Sequence, residues 1–287
     1  MTTPEKYVRD TILEAKKHPM DHLLRWDRLP HVWCSGCGLG SMLSCFVQAL
    51  TNTGLDLKKF AVVSGIGCTG RISGYLDLDV FHTTHGRAIP FAIGLKLANP
   101  ELNVIVFSGD GDLFAIGGNH IIHAARRNVD ITVFCSNNFN YGMTGGQLAP
   151  TTPIDAWTTT SPHGNVEPSF NLSALVAAAG ATYVARWTSL NARRLMASME
   201  AAILSKGFSF IEVVNPCPTT FGRRNDFDTG LKMLNFFKKH TVIKHGIDPK
   251  DTDIVFGKDL IVGEFVVKTG LPTLDERILG IGKKSEK

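Results

Sequence analysis

Short runs of β-branched and aromatic residues recur along the chain: 60–67 (FAVVSGIG), 103–109 (NVIVFSG), 131–137 (ITVFCSN), 181–186 (ATYVAR) and 208–214 (FSFIEVV). Each is nearly continuously apolar instead of alternating, as parallel strands covered on both faces should be. Helical spacing of apolar residues occupies about 39–53, 86–98, 115–128, 172–180 and 190–206. Alternation of this kind predicts an α/β fold, a mostly parallel sheet with helices on both faces. In such sheets ligands bind beyond the carboxyl ends of the strands. Residues 1–30 and 226–287 are less regular. They read as an N-terminal and a C-terminal arm around a central domain at 31–225, with the C-terminal arm docking on a partner subunit.

Composition narrows the class. The chain has 287 residues, 44% of them hydrophobic, and a formal charge of +4, an ordinary globular balance. No Lys/Arg run reaches the length that marks a nucleic-acid-binding arm. The N-terminal residues carry charges throughout and contain no apolar signal segment. The stretch LSALVAAAGATYVA falls short of the roughly 20 residues needed to cross a bilayer. The expectation is a soluble cytoplasmic protein with neither nucleic-acid nor membrane partners. In that compartment thiols stay reduced, so a close cysteine pair points to metal binding or catalysis.

Two constellations carry chemistry. The first lies at the ends of two neighbouring apolar runs. One run stops at Gly109-Asp110-Gly111-Asp112 and the next at Asn137-Asn138. Hard oxygen ligands from adjacent strand ends suit Mg²⁺, which keeps phosphate oxygens as further ligands. Glycines let the backbone approach a diphosphate. Asp112 reads either as part of that diphosphate environment or as a cap on the following helix. The second constellation is a set of cysteines in Gly- or Pro-rich loops: Cys34 and Cys37 (WCSGCG), Cys68 (GIGCTGR) and Cys217 (NPCPT). Four thiolates at one sheet edge suit structural zinc or an iron–sulfur cluster. The third and fourth ligands stand alone instead of forming a second CxxC pair, which favours the cluster. Cys45 and Cys135 sit in apolar contexts and read as core residues.

The GDG-to-NN motif resembles that of thiamin diphosphate enzymes. The wider run of WCSGCG, SGIGCTGR, HTTHGRAIPFAIGLKLANP, SGDGDLFAIGGNHIIHAARRN, NNFNYGMTGGQLAPTTP and NPCPTTFGRRN is similar to the β subunits of 2-oxoacid:ferredoxin oxidoreductases over about residues 25–235. The YGMTGGQ segment follows the two-subunit, 2-oxoglutarate form. Ser35 departs from the proline usual in the family between the first cysteine and the glycine of that loop.

The resemblance implies three resident groups: thiamin diphosphate, Mg²⁺ and one [4Fe–4S] cluster. It implies Mg²⁺ on Asp110, the Asn138 side chain and the Asn140 carbonyl, with the cluster on Cys34, Cys37, Cys68 and Cys217. It puts Ile66, Gly67, Cys68, Thr69, His85, Gly109, Asp110, Gly111, Asp112, Asn138, Asn140, Tyr141, Gly142, Met143 and Thr144 at the cofactor. It further implies CoA-dependent oxidative decarboxylation of a 2-oxoacid, an α subunit paired as (αβ)₂, and ferredoxin as electron acceptor. The glutamate that activates the cofactor is expected on the α subunit, so no catalytic residue is assigned to this chain. Arg223 and Arg224, and Arg126 and Arg127, are basic pairs that could steer an acidic ferredoxin or simply face solvent.

Overall fold

A computed structural model of the chain describes residues 20–285. Most of the N-terminal arm, residues 1–19, lies outside the described residues. Among the described residues the first α-helix is α1 (Leu39–Thr53), followed by β1 (Phe60–Ser64), β2 (Asp79–His82), α2 (Ala88–Ala98), β3 (Asn103–Gly109) and α3 (Gly118–Arg126). The middle contains β4 (Thr132–Asn137), the short hairpin of β5 (Asn140–Tyr141) and β6 (Gln147–Leu148), α4 (Leu172–Ala179) and β7 (Tyr183–Thr188). Then come α5 (Ala192–Leu204), β8 (Ser209–Val214), α6 (Gly230–His240), β9 (Thr241–Ile243), β10 (Leu260–Val267) and α7 (Leu274–Ser285).

Eight strands form one sheet in the order β2-β1-β3-β4-β8-β7-β10-β9. Every neighbouring pair is parallel except β10 against β7, which is antiparallel. Successive side chains of a strand point to opposite faces, and the core divides accordingly. Val62, Ile105, Phe107, Phe134 and Ile211 pack with Phe46 of α1 and Met199 of α5. Val63, Val104, Val106, Val133 and Phe210 pack with Ile89 of α2, Ile121 of α3 and Val176 of α4. Each central strand therefore needs apolar residues at every position, which is the continuous pattern seen in the sequence.

Two parts of the sheet depart from the expectation. Strand β2 is a short edge strand, DVFH, mostly exposed and too polar to stand out. The segment at 226–287, read as an arm, supplies β9 and β10, so its described part completes the same sheet. Strand β10 alternates buried and half-buried positions because only an edge-side stretch of sheet covers it.

The sheet also carries a buried charge pair. Arg186 on β7 and Glu212 on β8 are register partners, both without solvent exposure. Arg186 Nε donates to Glu212 Oε2 at 2.7 Å. Its Nη1 donates to the Thr252 carbonyl at 2.5 Å and its Nη2 to Asn171 Oδ1 at 3.2 Å, which ties in the tail and the start of α4. Glu212 also accepts from Ser173 Oγ at 2.9 Å and, through Oε1, from Asn137 Nδ2 at 2.8 Å. Removing one partner of such a pair strands the other charge. Arg186→Met is expected to cost about 3–5 kcal/mol in denaturant unfolding, and the double change with Glu212→Gln to recover part of it. A loss below about 1 kcal/mol would put the pair among surface-like interactions instead.

Candidate functional site

The carboxyl ends of β1, β3 and β4 open into a common cleft. Ile66, Gly67, Cys68, Thr69, His85, Gly109, Asp110, Gly111, Asp112, Asn138, Asn140, Tyr141, Gly142, Met143 and Thr144 line it together. The first wall follows β3. Asp110 is buried there, and the Thr151 hydroxyl donates to its Oδ2. Burial pushes the Asp110 carboxyl up to about 7, against the lowering effect of the Thr151 hydrogen bond, and the Glu212 charge adds to the rise. A carboxylate held this way is short of positive charge. A divalent cation would supply it, so the donor set fits Mg²⁺.

The second wall is the turn after β4. Phe139 adopts a left-handed backbone at φ 65°, unusual for a bulky residue. Two bonds hold it there. Its N–H donates to Asn137 Oδ1 at 3.2 Å, and its carbonyl accepts from Thr152 Oγ1 at 2.7 Å. Asn137 is itself fixed by Glu212. The turn brings Asn138 and Asn140 to the cleft opposite Asp110. The Asn140 side chain is already engaged: Nδ2 donates to the Asn138 carbonyl at 2.8 Å, and Oδ1 accepts from Thr220 Oγ1 at 2.8 Å. That engagement agrees with a ligand role for the Asn140 main-chain carbonyl and not for its amide.

Asp112 does not cap the next helix. A wide π turn, Asp112–Ile116, intervenes before α3, and Gly111 holds the capping position with no side-chain bond. The buried Asp112 carboxylate instead accepts from Gly86 N at 2.8 Å and from the Ser108 hydroxyl, with His85 Nδ1 in contact. It pins the His85-Gly86 loop to the end of β3. Gly111 is also required for packing within the site. A Cβ there would lie 2.4 Å from the Tyr141 ring, whose hydroxyl donates to the Gly111 carbonyl at 3.1 Å.

The cysteines separate as their contexts suggested. Cys45 and Cys135 are buried, and burial pushes both thiols up. Cys34 is exposed, while Cys37, Cys68 and Cys217 are half-buried. Burial pushes Cys37 up to about 12, opposed by the Leu39 backbone N–H, with further rises from Cys217, Cys68 and Cys34. Cys68 is raised by burial first, then by Cys217 and Cys34. The four thiols thus gather at one end of the sheet, within range of each other's charge. Among the described residues no three His, Cys, Asp or Glu side chains are closed around a common metal position. The donor set fits a group that neutralises several thiolates at once. Cys68 is the residue that belongs to both the cysteine group and the cleft.

Arg223 and Arg224 are exposed beside the Cys217 loop. Arg126 and Arg127 close α3 on the approach to β4, at the amino end of the strands, so they lie away from the cysteines. Thr151 and Thr220 were not singled out from the sequence; Asn137 was named only as one of the paired asparagines ending its strand, without its bond to Glu212. Glu212 had a visible signal: one acid inside the apolar run FSFIEVV, matched by one arginine inside ATYVAR.

The shift at Asp110 has a sign that can be tested. Its folded value of about 7 lies above the unfolded value near 3.8, so between those pH values the folded state binds more protons. This group's contribution to the stability of Mg²⁺-free protein is therefore present at acid pH and lost as pH rises through about 7. In urea unfolding at about pH 5 and about pH 8, Asp110→Asn should flatten that loss relative to the wild type. An unchanged pH dependence would contradict the assignment.

Residues 65–213 match the family described as thiamine pyrophosphate enzyme, C-terminal TPP binding domain. The chain is 50% identical over 276 residues to a 2-oxoglutarate synthase subunit KorB of Methanothermobacter marburgensis, covering 96% of each chain. It is 52% identical over 247 residues to the KorB subunit of Archaeoglobus fulgidus, covering 85% of this chain and 91% of the relative. A solved structure of 2-oxoglutarate:ferredoxin oxidoreductase from Magnetococcus marinus, with 2-oxoglutarate, coenzyme A and succinyl-CoA bound, matches with a TM-score of 0.84. Its sequence identity is 31%, and the match covers 95% of this chain and 92% of that one. With a thiamin-type cleft at the strand ends and cysteines gathered beside it, the chain belongs to the β subunits of the 2-oxoacid:ferredoxin oxidoreductase family.

Proposed function

We propose that the chain is the β subunit of a 2-oxoglutarate:ferredoxin oxidoreductase. The reaction is the reversible, CoA-dependent oxidative decarboxylation of 2-oxoglutarate to succinyl-CoA and CO₂, with electrons leaving to ferredoxin. One observation carries this reading: Cys68 lines the cleft of Asp110 and Asn138 and also lies within electrostatic range of Cys34 and Cys217. The relatives' names and the ligands of the solved relative support the substrate.

Bound thiamin diphosphate would supply the electron sink for decarboxylation, and a [4Fe–4S] cluster would take the electrons singly. The chain's own residues do the positioning. Asp110, the Asn138 side chain and the Asn140 carbonyl would hold Mg²⁺ against the diphosphate. Cys34, Cys37, Cys68 and Cys217 would hold the cluster. Asp112 fixes the loop that presents His85 to the cleft. The remaining residues expected at the cofactor, among them Met143 and Thr144, would complete the wall.

The chain supplies only part of the pocket. Its cleft encloses about 60 Å³, against roughly 300–1,000 Å³ for ordinary ligand pockets. That supports an α subunit closing the site and contributing the activating glutamate, in an (αβ)₂ assembly. A separate groove of about 790 Å³ is lined by Ile154, Trp157, Phe227, Phe236 and Phe256. Trp157 is 54% exposed and Ile154 53%, which suits a covered subunit face. Part of that groove comes from the C-terminal segment expected to dock. Arg223 and Arg224 suit an acidic ferredoxin near Cys217. No helix among the described residues is long and apolar enough to cross a membrane, and a cytoplasmic location suits loop cysteines proposed to hold a cluster.

The test is made anaerobically on the chain co-purified with its partner, supplied with thiamin diphosphate, Mg²⁺ and coenzyme A. Reduction of a low-potential dye is followed with 2-oxoglutarate, pyruvate and a branched 2-oxoacid. A kcat/KM at least about tenfold higher for 2-oxoglutarate is expected. A preference for another acid would replace the substrate. No reduction by any acid, from a complex with its metal complement intact, would overturn the reaction.

A further inference from the structure

One hydroxyl joins the Asn138–Asn140 turn to Cys217. Thr220 lies in a second π turn, Pro218–Gly222, immediately after Cys217. Its Oγ1 is 2.8 Å from Asn140 Oδ1 and 2.9 Å from Cys217 Sγ. The residue is clamped on its other sides. Arg224 Nη1 donates to the Thr220 carbonyl at 3.0 Å. A Cβ on Gly146 would approach Thr220 Cβ to 3.1 Å, and one on Gly142 would approach Cys217 Sγ to 3.3 Å. The Thr220 backbone and Cβ are thus closely packed between Arg224 and Gly146.

A threonine hydroxyl has one proton to donate. The Asn140 amide nitrogen is committed to the Asn138 carbonyl, so Asn140 Oδ1 faces Thr220 as an acceptor only. In the metal-free chain Thr220 gives its proton to Asn140 and can accept from the Cys217 S–H. A cysteine that ligates iron binds through its thiolate and has no S–H to give. Both neighbours of Thr220 are then acceptors competing for one proton. Donation to sulfur stabilises added negative charge at a cluster and raises its potential. It also loosens the side chain that shapes the Asn138–Asn140 turn.

We infer that Thr220 is a positioning residue that couples the charge on the Cys217 sulfur to the cation-binding turn through this shared proton. The inference rests on the proposed [4Fe–4S] cluster at Cys217.

Its test is an EPR-monitored redox titration of the αβ complex, wild type against Thr220→Val and Thr220→Ser, with iron measured in each. Valine keeps the shape and removes the proton; serine keeps the proton. Thr220→Val is expected to disfavour one-electron reduction about fivefold, a midpoint about 40 mV lower at 59 mV per tenfold. Thr220→Ser should stay at the wild-type value, an outcome that a merely space-filling role does not require. Equal midpoints for Thr220→Val and wild type, at equal iron content, would overturn the inference and leave the cluster reading standing. So would a Thr220→Ser midpoint that follows Thr220→Val. A wild-type complex without iron would overturn both the cluster reading and the coupling.

Discussion

The buried pair of Arg186 and Glu212 is the constraint from which the site is built. Two full charges inside a sheet are costly unless each is surrounded by partners. Here the partners come from separate parts of the chain. Arg186 takes up the Thr252 carbonyl of the C-terminal segment and the Asn171 side chain at the start of α4. Glu212 takes up Ser173 and Asn137. The bond to Asn137 matters most for function. Asn137 holds the N–H of Phe139 in its left-handed turn, and that turn presents Asn138 and Asn140 to Asp110. Backbone strain of about 1–3 kcal/mol at such a residue persists only where the surroundings over-determine it. The Glu212 network does so from below and Thr152 from the side.

Charge is distributed so that the site is poised for cations. Asp110 is desolvated, given one hydroxyl, and further opposed by Glu212. Cys37 and Cys68 are desolvated, and the charges of the neighbouring cysteines oppose their ionisation further. Both groups are costly to ionise in the protein alone, and both become favourable once a positive centre is supplied. A metal bound there would therefore be linked to folding of the cleft. The turn that carries Asn140 and the cysteine group are linked directly: Asn140, Thr220 and Cys217 form one hydrogen-bonded line.

Much of this was legible in the sequence because burial on both faces leaves a strong mark. The five central parallel runs are apolar at nearly every position, and the strands formed within about three residues of the expected bounds. The same holds for the motif loops, since Asp110 and Asn138 follow strand ends directly and Cys68 sits in the loop just beyond β1. What was not legible depended on long-range partners. Strand β2 exists only because β1 offers it an edge. Strand β10 needs the antiparallel edge of β7, and its mixed pattern reads as surface until that neighbour is known. Asp112 looked like a helix cap because GDGD precedes a helix, yet a π turn and the contacts of Gly86, Ser108 and His85 claimed it. Thr151 and Thr220 reach their partners across 41 and 80 residues, beyond any local pattern.

The central claim is that one chain holds a thiamin diphosphate clamp and an iron–sulfur cluster side by side. Its most direct test is metal and sulfide analysis of the complex purified without oxygen, together with its cofactor content. The account predicts about four iron and about four acid-labile sulfide per β chain, with thiamin diphosphate retained in the presence of Mg²⁺. One zinc with no sulfide would contradict it, because Cys34, Cys37, Cys68 and Cys217 would then be a structural site with no electrons to carry.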